Sequence, residues 1–142
     1  MIPNLSKAAA AMLLAVMTTP ALAADVSLTY SVASYHWCRD CGYNETNPGV
    51  GIEVALGSEW YVGAGAYHNS FAETTGYVSV GYEHRLARYL TAGVEAGHLW
   101  GYDETDWMAA PTLSIGTDRL NVKALIVPTV VIGFQIRAGF DL

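Results

Sequence analysis

Few residues in this chain are of a type to do chemistry, and most of them sit in or beside loops. Ser70 follows His68 and Asn69 in "AYHNSFAETTGY", residues 66–77. A serine hydroxyl attacks an electrophile once a neighbouring base takes its proton. Asn and Ser also favour turns, because their side chains hydrogen-bond nearby backbone. Both readings stand until the place of this stretch is known. A second candidate is "CRDC", with Cys38 and Cys41 just after His36. A zinc site made with His36 would be one ligand short. No βαβ pattern surrounds the two cysteines, so a small loop disulfide is expected over redox catalysis.

The elements that must position these residues follow from composition and periodicity. Residues 1–23 carry one positive charge at Lys7, an apolar run from Ala8 to Met17, then Pro20 and "ALA". That is the pattern of a cleaved secretory signal, and the run is too short for a spanning helix, which needs roughly 20 residues. The expected mature chain, residues 24–142, is one domain with six Lys or Arg against 13 Asp or Glu. Such an acidic balance, with no basic stripe, argues against nucleic acid.

Past residue 25, alternation with period two recurs in eight segments: 25–37, 47–57, 59–69, 75–84, 89–100, 107–116, 119–127 and 130–142. Each is about 10 residues, enough for a tilted strand to cross a bilayer. "CRDCGYNET", "SFAET" and "GYDETD" are long polar connections, alternating with tight turns such as "GS" and "TD". One face of every strand is apolar and carries no charge, as in Leu28, Tyr30, Val50, Ile52, Val94, Val122 and Ile136. Trp60, Tyr89 and Phe140 fall near one rim, and Trp37, Trp100 and Trp107 near the other, as aromatic girdles do. The alternation predicts an all-β fold: an eight-stranded antiparallel transmembrane β-barrel of the outer membrane, integral and monomeric.

The inward series divides the lumen into two halves. Glu53, Glu83, Glu95, Lys123 and Arg137, with Asn121 and Gln135, lie toward the short-turn end. These are expected to pair as an ionic plug rather than to relay protons, since eight strands leave no open channel. Toward the long loops the inward residues include Gly51, Gly65, Tyr67, Tyr77, Gly97, Leu99, Met108, Leu125 and Gly133. Glycines remove volume there, which predicts a dry pocket wide enough for one alkyl chain; relief of crowding in a curved sheet is the alternative. Pro48, Pro111 and Pro128 cannot complete a ladder, so weak seams are expected between strands one and two and strands six and seven.

In order and spacing, "YNETNPGVGIEV", "WYVGAGAYHNS", "YVSVGYEHRL", "LTAGVEAGHLW" and "VKALIVP" resemble the lipid A palmitoyltransferases, over residues 35 to 128. The resemblance implies an eight-stranded barrel that moves a palmitoyl chain from a phospholipid to lipid A. It implies that the chain lies in the upper lumen, reached through proline-weakened seams. Its partners would be outer-membrane lipids, with no metal or diffusible cofactor. The family's histidine and Asp-Ser pair fall on His36 and on Asn69-Ser70. Three departures stand out: Asn69 replaces the acid, the helix before the first strand is missing, and the first outer loop is shortened around "CRDC". Strict alternation also turns His36 toward lipid, unless a bulge near Ala33 and Ser34 turns it inward. Asp40, Glu45 or Glu73 would then be the acids available to replace the missing one, and His68 and His98 are expected to be interfacial. The competing expectation is a non-enzymatic structural or surface-interaction barrel.

Overall fold

The computed structural model describes residues 25–103 and 106–141; the expected signal peptide lies outside them. Eight strands follow one another: β1 (Asp25–His36), β2 (Thr46–Ala55), β3 (Trp60–His68), β4 (Thr74–Ala87), β5 (Leu90–Trp100), β6 (Trp107–Gly116), β7 (Leu120–Val127) and β8 (Val131–Asp141). Each pairs antiparallel with the next, and β8 closes on β1, so the circuit is a closed barrel. Closure matters in lipid, where an unpaired backbone N–H or C=O has no water to turn to.

Period-two sequence becomes two-sided structure. Leu28, Tyr30, Val50, Val94, Ile115, Val122 and Ile136 are exposed on the outside of the wall. Thr29, Glu53, Tyr61, Glu95, Thr112, Lys123 and Arg137 are buried inside it. A water-soluble barrel would do the reverse, so the outer surface is built for hydrocarbon. Trp60, Tyr89 and Phe140 are exposed at the short-turn end, and Trp37 and Trp107 at the long-loop end.

Three irregularities shape the long-loop half. In β1 the register slips between Ser31 and Ala33 against both neighbours, and Val32 is the extra residue against β8. A bulge shifts the pleat by one residue, so His36 turns into the barrel and is only 3% exposed. Strict alternation alone turns it toward lipid; the slip next to Ala33 is the bulge that reverses it. Across the same slip, the β1–β2 pairing passes from Ser31↔Gly49 to Ala33↔Thr46, skipping Asn47 and Pro48. The β6–β7 ladder runs only from Thr112↔Leu125 to Gly116↔Asn121, so Trp107 to Pro111 pair with β5 alone. Pro111 stands where that ladder stops. Both interruptions coincide with the prolines, which have no N–H to give.

Candidate functional site

The site starts from the turn after β3. Asn69 is fully buried. Its Oδ1 accepts the backbone N–H groups of Phe71 and Glu73, at 2.9 and 3.0 Å. Those two donors fix which end of the amide is oxygen. Nδ2 then donates to Thr75 Oγ1 and to the Gly101 carbonyl, at 3.0 and 3.1 Å. All four hydrogen-bond positions of the amide are thus engaged in holding the turn. A carboxylate could make the first pair of contacts but would set an oxygen against the Gly101 carbonyl. Asn69 therefore anchors the turn with its side chain, and Ser70 rides beside it.

The first long loop is stitched to that turn. The backbone N–H of Asn44 donates to the Ser70 carbonyl at 2.8 Å, and Asn44 Nδ2 to the Asn69 carbonyl at 3.0 Å. Asn47 Nδ2 donates to the His68 carbonyl at 2.9 Å, while Ser34 Oγ donates to Asn47 Oδ1 at 2.6 Å. These side chains bridge β1, β2 and β3 where Pro48 and the bulge interrupt the ladder. Their roles were not foreseen; the cluster of asparagines in "NETN" is the only sequence signal for them.

Together the bulge and the stitching bring His36 to Ser70, with Nε2 2.8 Å from Oγ. The imidazole lies against the Tyr43 ring, centroids 4.7 Å apart, and Tyr43 meets Phe71 edge-on at 5.7 Å. Glu45 Oε1 accepts the His36 backbone N–H at 3.0 Å and Arg39 Nη1 at 2.7 Å. The same oxygen is 3.8 Å from His36 Nδ1. The backbone N–H of His36, followed by the nearby Arg39, holds the Glu45 carboxyl below its usual range. Cys38 and Cys41 are joined as a disulfide within the loop that carries Arg39. Asp40 and Glu73 are exposed. His98 packs between Trp100 and Trp107, at 4.6 and 4.8 Å, in the aromatic girdle. His68 borders a shallow outer cleft with Pro48 and Thr74.

The lumen below is occupied differently from an open pocket. Gly51, Gly65, Tyr67, Tyr77, Gly97, Leu99, Met108, Leu125 and Gly133 all fall in the inward series of their strands. The Tyr77 ring lies across the space that the β2 and β3 glycines leave: a Cβ at Gly65 would come within 2.8 Å of it. Its hydroxyl sits 3.5 Å from Thr29 Oγ1 on the opposite wall. Nearer the rim, the Tyr67 and Tyr102 hydroxyls are 3.2 Å apart. Beside Gly133 the lumen is open.

Beyond Tyr77 lies the ionic cluster. Lys123 is 0% exposed and donates to Glu53 and, at 2.8 Å, to Glu95. Arg137 bonds Glu53 and Glu83, each at 2.9 Å, and Tyr61 donates to Glu95 at 2.8 Å. Every charge has an opposite partner, which is the plug expected from the sequence. On its far side a polar funnel of about 780 Å³ opens at the short-turn end, bordered by Ser27, Glu59, Asp118 and Asn121.

No protein-family model matches the sequence, and no curated protein does. Among solved structures, the chain is similar to a de novo designed transmembrane β-barrel. That match has a TM-score of 0.57 and 17% identity, over 81% of this chain and 95% of the other. It is also similar to the N-terminal β-barrel domain of Pseudomonas aeruginosa OprF. There the TM-score is 0.49 and the identity 14%, over 83% of this chain and 97% of that domain. With the closed eight-strand circuit and its apolar exterior, the designed barrel identifies the fold as that of a transmembrane β-barrel.

Proposed function

We propose that the protein is an outer-membrane acyltransferase, with Ser70 as nucleophile and His36 as its base. The observation that carries this reading is the 2.8 Å contact between Ser70 Oγ and His36 Nε2 at the barrel rim. A buried imidazole on a serine hydroxyl is the pairing that nucleophilic acyl transfer needs. Ser70 Oγ attacks the ester carbonyl of a phospholipid while Nε2 takes the hydroxyl proton. The tetrahedral intermediate collapses by breaking the bond to the glycerol oxygen, which leaves as lysophospholipid with the proton from Nε2. A hydroxyl of lipid A then attacks acyl-Ser70, passes its proton to Nε2, and Ser70 recovers that proton as the ester bond to it breaks. Asn69 holds the turn from which Ser70 projects.

The wall supports the same reading. The stretch of β6 from Trp107 to Pro111, unpaired on its β7 side, offers a lipid chain a way between strands into the long-loop half. A Cβ at Gly133 would meet no atom within 4 Å, which leaves room for a chain there. The present position of Tyr77 favours a second reading, a non-enzymatic structural or surface-interaction barrel with a filled lumen. Lipid A extracted from a host without its own palmitoyltransferase, carrying this protein or its Ser70→Ala variant, tests the choice by mass spectrometry. The acyltransferase reading expects a gain of one acyl chain that vanishes with Ser70→Ala. Unchanged lipid A from a folded, inserted barrel contradicts it and favours the filled structural barrel.

A further inference from the structure

Glu45 stands beside the histidine in a way that its loop alone does not require. Its Oε1 is fixed by two donors, the backbone N–H of His36 and the Arg39 guanidinium. Fixed there, it faces His36 Nδ1 across 3.8 Å. Nδ1 is buried and has no hydrogen-bond partner among the described residues. Buried polar atoms are normally paired, so an unpaired one within reach of a carboxylate marks a contact held open. A neutral imidazole carries one proton. If Nε2 accepts from the Ser70 hydroxyl, that proton is on Nδ1, 3.8 Å from Glu45 Oε1.

We propose that Glu45 is the positioning carboxylate of the rim site. It holds His36 in the Nδ1–H form and stabilises the imidazolium that arises when Nε2 takes the proton of Ser70. The inference rests on the nucleophile reading above, and it names the acid that Asn69 does not supply. Closing the gap to hydrogen-bond length takes about 1 Å of movement, and such contacts are often long before substrate binds. The other groups around the imidazole do not compete for the role. Tyr43 offers its ring face, Ser70 is the hydroxyl being activated, and Arg39 reaches the imidazole only through Glu45.

The test uses the full mature barrel refolded in phosphatidylcholine vesicles and a fluorophosphonate probe. Ser70 Oγ forms a bond to phosphorus, fluoride leaves, and the hydroxyl proton passes to His36 Nε2. Wild type should be labelled at Ser70, and Glu45→Gln should be slower by about 100-fold or more. Glu45→Asp should restore part of the rate. The ring nitrogen shifts of His36 in wild type should report the Nδ1–H tautomer. Labelling of Glu45→Gln at the wild-type rate, or an Nε2–H tautomer, would overturn the positioning role and leave Ser70 as nucleophile. A wild-type barrel unlabelled at Ser70 would overturn the nucleophile reading, and this inference with it.

Discussion

Lys123 and His36 are both buried inside the same barrel, yet their surroundings differ. Lys123 sits among Glu53, Glu95 and the Tyr61 hydroxyl, with Arg137 tying Glu53 on to Glu83. His36 has a neutral hydroxyl at one ring nitrogen and, among the described residues, no hydrogen-bond partner at the other. Charges in a narrow lumen are tolerable only when paired, and each charge of the plug has an opposite partner in place. A group that must gain and lose a proton is better served by a neighbour that is near but not locked. Saturation points to stability in the plug. Incompleteness points to chemistry at the rim.

Variants sharpen that contrast, ordered here by their expected effect on folding. Lys123→Met leaves Glu95 without its cationic partner and Glu53 with Arg137 alone, and should cost about 3–5 kcal/mol, read from urea unfolding in lipid vesicles. Asn69→Asp puts back the residue type of the resembled family, yet it should cost about 1–3 kcal/mol. The Nδ2 donors to Thr75 and Gly101 are lost and a carboxylate oxygen meets the Gly101 carbonyl. Acyl transfer in this variant should fall with the fraction of folded protein, not rise. Ser70→Ala loses one hydrogen bond, about 0.5–1.5 kcal/mol, while activity should disappear. A Ser70→Ala barrel as unstable as Lys123→Met would mean that the rim pair is structural and erase the contrast.

The smallest effect is on pH. A carboxyl held below its usual value contributes stability above its unfolded pKa of about 4.3, and that contribution is lost as pH falls through the lower folded value. The loop contact made by Glu45 should therefore persist at neutral pH and loosen only in acid, below the ordinary carboxylate range. The His36 amide resonance, whose N–H Glu45 accepts, should follow that titration.

The strands were legible because period two is a local signal, repeated on both sides of every turn. All eight expected segments correspond to observed strands, although β4 runs on to Ala87 through a second register shift after Arg85. The plug was legible for the same reason: burial of five charges inside one narrow circuit leaves pairing as the only cheap arrangement. The side on which His36 lies was not readable. It depends on where β1 slips against Thr46 and Phe134, and neither Val32 nor its neighbours advertise that slip. The upper lumen was half readable. Glycines marked the space, but only packing shows that a tyrosine on β4 lies across it. Nor can spacing choose among Asp40, Glu45 and Glu73, since the choice is made by two hydrogen bonds from the far end of the same loop.

The central claim, that Ser70 and His36 form an acyl-transfer pair, is tested most directly in purified components. The refolded barrel is placed in vesicles of phospholipid with a labelled acyl chain, with lipid A as acceptor, and lysophospholipid and acylated acceptor are followed by mass spectrometry. Wild type and Lys123→Arg, which keeps the plug charged, should both release lysophospholipid, while Ser70→Ala and His36→Ala, equally folded, should release none. A folded wild-type barrel that leaves the phospholipid intact, or a Ser70→Ala variant that matches it in turnover, would contradict the claim.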